Sequence, residues 1–250
     1  MKNNVKIVTT WSEAGYEEYG QYWCKAVEKH VPANWIVKVY GSQKDFKFKW
    51  HDWDTEFPKW QKYCNSVKEE WSKITDPNNG KVQGWFDNVI KFSHKGVVIA
   101  KELRRTDARY MIWLDGDAIF HNTIPEDWHL QLLQNHAMST QYEYTYKHDQ
   151  WNWVHIESGI MVFDLEHPTI KEFINMYADY YDNPKKLVTI RKPYDTYVAV
   201  ASMKKTNVSA FNLNGEPSKI TGDPNQTFLN PLLRNFVIHW ITKSKGLLGK

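Results

Sequence analysis

The chain has 250 residues, 42% of them hydrophobic and 24% charged, with a formal net charge of +3. These are ordinary values for a globular protein long enough to bury a core, and so small an excess of positive charge does not by itself imply nucleic-acid binding. Cys24 and Cys64 lack metal-type spacing and are too few for a disulfide scaffold, residues 1–11 lack the apolar core of a signal peptide, and no apolar run approaches the ~20 residues that span a bilayer, so a cytoplasmic protein without a membrane span is expected.

Residues 5–10 (VKIVTT) read as a buried strand, because β-branched side chains suit a pleated, enclosed surface. Residues 13–30 read as a helix, with Tyr16, Tyr19, Trp23 and Val27 recurring at spacings of three and four, and Pro32 ends it. Residues 35–40 (WIVKVY) form a second strand, which completes the strand–helix–strand unit of a parallel α/β sheet. Residues 44–86 break this pattern. They hold Trp50, Trp53, Trp60, Trp71 and Trp85 among mixed charges, and are expected to be an aromatic-rich insert carrying a helix or two. Helical periodicity returns over 87–105, followed by a central strand at 110–114 (YMIWL) and a short helix after Pro125. A further strand is expected at 158–165, a helix from near Pro168, a last short strand at 236–240 and a basic tail at 241–250.

The most informative string is the apolar strand 110–114 running straight into Asp115-Gly116-Asp117. Ligands of open α/β sheets bind beyond the carboxyl ends of the strands, where both aspartates would project. Two hard oxygen donors at that place suit Mg²⁺ or Mn²⁺, which also take phosphate oxygens, and Gly116 permits close backbone approach. A bare D-x-D is common in capped surface turns. The buried strand before it and the apolar Ala118-Ile119-Phe120 after it are hard to reconcile with a solvated turn.

Together with Lys91-Phe92-Ser93-His94-Lys95 upstream, MIWLDGDAIF resembles the core of glycosyltransferases of the GT-A fold, in which the D-x-D holds a divalent metal against the donor diphosphate. Glu157-Ser158-Gly159-Ile160-Met161-Val162-Phe163 is similar to the N-[SA]-G-hydrophobic segment of family 8-like retaining enzymes, with Glu157 where they have Asn. Pro193-Tyr194-Asp195-Thr196 resembles their Asp-Gln pair, with Thr196 in place of Gln, and His239 followed by Lys243 and Lys245 resembles their C-terminal metal ligand and diphosphate-binding lysine.

The resemblance implies a single GT-A domain over 1–250, with a mixed, mostly parallel sheet flanked by helices. It implies a metal on Asp115, Asp117 and His239. The donor, a nucleoside-diphosphate sugar of the UDP type, would meet Thr9, Thr10, Trp11, Lys95, Asp115, Ser158, Gly159 and Lys243 or Lys245. Glu157 and Asp195 are the carboxylates expected to face the sugar, and the motifs imply retention at the anomeric carbon. Two other readings stay open. A sugar nucleotidyltransferase would need a Gly-rich loop after the first strand, where the chain has TTWSEAG; a non-catalytic nucleotide-sugar-binding module would not need Asp115, Asp117 and His239. The acceptor is open among a glycan, a protein, a lipid-linked sugar and modified DNA. At least one insert tryptophan is expected to lie open beside the donor cleft and hold it.

Overall fold

The computed structural model describes residues 4–41, 48–74, 86–148, 151–190, 193–214 and 230–239, with side chains for all of these except 86–88, 143–148, 151–155 and 239. In chain order the elements are β1 (Val5–Thr10), α1 (Glu13–Gly15), a π-helical turn (Tyr16–Gly20), α2 (Gln21–His30), β2 (Ile36–Gly41), β3 (Lys49–Asp52), α3 (Trp53–Glu56), α4 (Trp60–Ser72) and α5 (Phe86–Leu103). There follow β4 (Tyr110–Leu114), β5 (Ala118–Phe120), α6 (Trp128–Leu133), β6 (Met138–His148), β7 (Trp151–Asp164), α7 (Ile170–Asp182), α8 (Pro184–Leu187), α9 (Asp195–Lys205), β8 (Ala210–Asn212), α10 (Pro231–Arg234) and β9 (Val237–His239).

Seven strands form one sheet in the order β3-β2-β1-β4-β7-β6-β8. β3, β2, β1 and β4 run parallel, whereas β7 runs antiparallel to both β4 and β6, so the sheet is mixed but mostly parallel, as expected. Strand alternation separates two cores. Met111 and Trp113 of β4 join Val8, Met161 and Phe163 under α5, α7 and α9, while Tyr110, Ile112 and Leu114 join Ile7, Val162 and Trp23 on the opposite face, toward α2 and α6. β5 and β9 make a separate two-stranded ribbon just beyond the D-G-D turn.

The insert differs from expectation in one respect. Besides α3 and α4 it carries β3, which extends the parallel sheet beside β2. Trp50 of β3 fixes that edge by donating its indole N–H to the Gly41 carbonyl at 3.1 Å. The expected strand at 158–165 is the second half of β7, which pairs with β6 along a long hairpin with register shifts at Thr140/Gln141 and Tyr142/Tyr144.

One buried charge network ties the sheet to α5. Lys6 of β1 and Lys38 of β2 are buried and converge on Glu102, at 3.0 and 2.8 Å, and both also pair with Asp107. Tyr40 donates to the other Glu102 oxygen at 2.5 Å. Burial opposes the Glu102 charge, but Lys6, Lys38 and Tyr40 outweigh it and hold the carboxyl below its usual range.

Candidate active site

A cleft of about 510 Å³ opens at the carboxyl ends of β1 and β4 and is lined by Thr10, Trp11, Tyr19, His94, Lys95 and the whole Asp115-Gly116-Asp117 turn, among others. Asp115 and Asp117 are partly exposed there, so the acidic pair does face a ligand-sized space at the strand ends. The turn needs its glycine. A Cβ on Gly116 would stand 2.9 Å from Trp11 Cε3 and 3.0 Å from Tyr19 Cε2, so the two rings can close over the turn only because that atom is absent.

Behind the turn, three segments distant in sequence meet at one ammonium. Lys95 of α5 lies 2.7 Å from Asp115 Oδ1 and 3.0 Å from Asp195 Oδ2, and it donates to the Ser158 carbonyl at 2.7 Å and to Ser158 Oγ at 3.0 Å. Ser158 Oγ in turn donates to Asp195 Oδ2 at 2.5 Å and lies 3.0 Å from Thr196 Oγ1. Glu157 accepts the Gly159 N–H at 2.9 Å, and Gly159 accepts the Asp115 N–H at 2.8 Å, which joins the end of β4 to β7. Burial works against the Lys95 charge, but Asp115 and Asp195 outweigh it and raise its pKa above the ordinary lysine value. For Asp115 burial dominates and raises the pKa, against the pull of Lys95.

Among the described residues, Asp115 is held through Oδ1. Its Oδ1 accepts both from Lys95 and from the Trp113 indole N–H, the latter at 2.8 Å. Oδ2 lies 3.8 Å from where a Gly159 Cβ would stand, an ordinary contact distance. Asp115, Glu157 and Asp195 therefore surround a single ammonium, and Asp117 adds a further negative charge beside Asp115. An anionic diphosphate entering such a site needs a cation between it and the carboxylates. Hard oxygen donors such as these two carboxylates fit Mn²⁺ or Mg²⁺. The backbone of His239 pairs with Ala118, the residue after Asp117, so β9 brings the expected third ligand alongside the turn. Among the described residues no group of three or more His, Cys, Asp or Glu is assembled to hold a metal ion, and the His239 side chain is not among them. Lys243 and Lys245 lie outside the described residues.

Several expected donor contacts sit differently. Lys95 lines the cleft, but its ammonium is engaged by four protein oxygens, which leaves it a clamp between two aspartates. Asp195, in the first turn of α9, is 1% exposed, pairs with Lys95 at 3.0 Å and does not line the cleft. Thr9 is fully buried, and Thr10 directs its hydroxyl to the Tyr40 carbonyl at 2.9 Å. Trp11 is 6% exposed and forms the cleft floor, packed edge-on against Trp23 at 5.4 Å and tilted against Trp50 at 6.3 Å.

The sequence reading misses Tyr19, Trp113 and His94 as parts of the site. Tyr19 reads as one member of a helical stripe, but the π-helical turn at Tyr16–Gly20 changes the spacing and lays its ring beside Gly116. Burial, then Asp117 and Asp115, push the Tyr19 hydroxyl up to about 12.

None of the four described insert tryptophans lines the cleft, although Trp50, Trp53 and Trp60 are half-buried rather than enclosed. Trp50 packs on Trp11, Trp71 is 3% exposed in the core, and Trp53 and Trp60 stack among Phe57, Tyr63 and His94. Trp85 lies outside the described residues.

No family model and no curated protein matches the sequence. Among solved structures, mouse xyloside xylosyltransferase 1 in its apo form aligns with a TM-score of 0.49 at 12% identity, over 84% of this chain and 85% of that one. The mannosyltransferase Ktr4p from S. cerevisiae in complex with GDP aligns at 0.48 and 10% identity, over 90% and 79%. Core-mannan synthase A from Aspergillus fumigatus, in a Mn/GDP form, aligns at 0.45 and 10% identity, over 80% and 69%. The chain's own sheet order, with the acidic turn at the end of its central parallel strand, defines a mixed, mostly parallel α/β fold with a cleft at the strand ends. Nothing in that fold singles out family 8.

Proposed function

We propose that the chain is a single-domain, metal-dependent glycosyltransferase that moves a sugar from a nucleoside-diphosphate sugar of the UDP type to a hydroxyl acceptor. The observation that carries this reading is the convergence of Asp115, Ser158 and Asp195, from three separate segments, on Lys95 beneath a cleft that presents Asp115 and Asp117. A binding module would not need buried carboxylates locked so tightly behind an acidic turn.

In this reading Asp115, Asp117 and His239 hold Mn²⁺ or Mg²⁺, which when bound supplies Lewis-acid neutralisation of the departing diphosphate. Lys95 and Trp113 fix Oδ1 of Asp115, so Oδ2 would be its ligand atom. Asp195 and Ser158 act through Lys95 and are positioning residues. Glu157, with one oxygen accepting the Gly159 N–H, would stabilise positive charge at the anomeric carbon or orient the acceptor hydroxyl. Trp11, Tyr19 and Thr10 form the wall for the nucleoside. Lys243 or Lys245 would meet the diphosphate as a point charge. Retention at the anomeric carbon belongs to the proposal and rests on the family 8-like motifs. The acceptor is a glycan, a protein, a lipid-linked sugar or modified DNA.

The test is anomeric proton NMR of the product formed with a defined donor and Mn²⁺. Transfer with the donor's configuration kept supports the reading; an inverted product removes retention, and a nucleotidyl product removes the reading altogether.

A further inference from the structure

His94 precedes the Lys95 clamp on α5 and lines the same cleft. Its ring is gripped by two insert tryptophans, with centroids 4.5 Å from Trp53 and 4.3 Å from Trp60. Trp60 is itself stacked on Tyr63, and Trp53 leans on Phe57, so the imidazole has little room to turn. Burial pushes its pKa down to about 4, so the ring is neutral at physiological pH. Neither ring nitrogen has a hydrogen-bond partner among the described residues, although the ring is only half-buried and borders the cleft.

A neutral imidazole offers one N–H donor and one lone pair. A phosphate oxygen only accepts and is better met by a cation, as Lys91 of the same wall would supply. A hydroxyl both donates and accepts, and so matches a neutral imidazole on either nitrogen. We infer that His94, held in orientation by Trp53 and Trp60, reads a hydroxyl group of the nucleotide-sugar donor, either on the ribose or on the sugar to be transferred. The inference rests on the donor reading above. It also gives a role to the aromatic insert, which reaches the donor through the histidine it holds.

The test is calorimetry on the full chain with Mn²⁺, using UDP, GDP, UDP-glucose and GDP-mannose as probes. The variants are His94→Phe, which keeps a flat ring between the tryptophans, and His94→Gln, which keeps hydrogen-bonding capacity. A single neutral hydrogen bond corresponds to roughly a tenfold change in affinity. If the hydroxyl is on the ribose, His94→Phe weakens UDP or GDP by about that factor; if it is on the sugar, only the nucleotide sugars weaken. In either case His94→Gln recovers part of the loss and both variants melt near wild type. Equal affinities for all probes in wild type and His94→Phe overturn the role of His94 alone, as does a loss that His94→Gln shares in full. Absence of binding of every probe to wild type overturns the donor reading and this role with it.

Discussion

Lys95 carries the greatest local consequence, because one ammonium separates carboxylates that would otherwise repel. Lys95→Met is expected to destabilise the fold by about 3–5 kcal/mol, the scale for removing one partner of a buried pair, and to lower transfer at least a hundredfold by releasing Asp115. Chemical denaturation and steady-state kinetics check the two effects. A variant with wild-type stability and activity would remove the clamp from the account. Trp113→Phe is the milder change. It frees one contact to Asp115 Oδ1 and keeps an aromatic ring, so Mn²⁺-dependent nucleotide affinity is expected to fall several-fold with little loss of melting temperature. An unchanged Mn²⁺ titration would show that Lys95 suffices. Asp115 and Asp117 are legible as site residues from sequence, because an apolar strand that runs into D-G-D does not fit a solvated turn. The clamp is not, since a lysine on a helix carries no mark of what it will face across 20 residues of chain and a strand.

At the scale of elements, α5 decides the geometry, since it bears both His94 and Lys95 and packs against α7. The packing depends on Gly96. A Cβ there would lie 1.9 Å from Tyr181 Cζ, an impossible contact, and Tyr181 is 3% exposed. Gly96→Ala is therefore expected to cost about 1–3 kcal/mol or more by overpacking, despite the better helix propensity of alanine. The double variant with Tyr181→Leu should be less destabilised than the sum of the two changes, because the second removes the clash created by the first. Urea denaturation of the four proteins reads the coupling, and strict additivity would show that the ring moves aside freely. Strands β1 and β4 are legible to the residue as apolar runs before turn signals. β6 and α9 go unread, although Tyr142, Tyr144 and Tyr146 alternate with polar residues at the strand period, and Asp195-Thr196 stands out as a motif where it is also the first turn of a helix. β3 is hidden because its four residues, KWHD, alternate too briefly to register against a background of tryptophans.

Across the whole molecule, the Lys6–Lys38–Glu102–Asp107 network lies at the C-terminal end of α5, about two turns beyond Lys95. Two lysines inside strands that otherwise read as apolar give no sign in the sequence of this network, because their partners lie on and just after the helix that follows a long insert. For Asp107, burial raises the pKa, but Lys38 and Lys6 outweigh it and hold the carboxyl well below its usual range, as they do Glu102. Depressed carboxyl pKa values give stability that is present above the unfolded value of about 4 and lost as pH falls through the folded value. Melting temperature is expected to be level between about pH 5 and 8 with respect to these groups and to fall in acid. Glu102→Gln should cost about 3–5 kcal/mol at neutral pH and make the acid fall shallower. Among the described residues no helix is long and apolar enough to cross a membrane.

The central claim is that this cleft breaks the bond between a sugar and a nucleoside diphosphate with the help of a divalent metal. It is tested most directly by incubating the chain with a panel of UDP- and GDP-sugars and Mn²⁺ and measuring release of free nucleoside diphosphate. The expected result is release from at least one donor, abolished by chelator, restored by added Mn²⁺ and absent in Asp115→Asn, which replaces a hard charged ligand by a neutral amide. Release that persists in chelator and in Asp115→Asn, or no release from any donor by a protein that is folded, would contradict it.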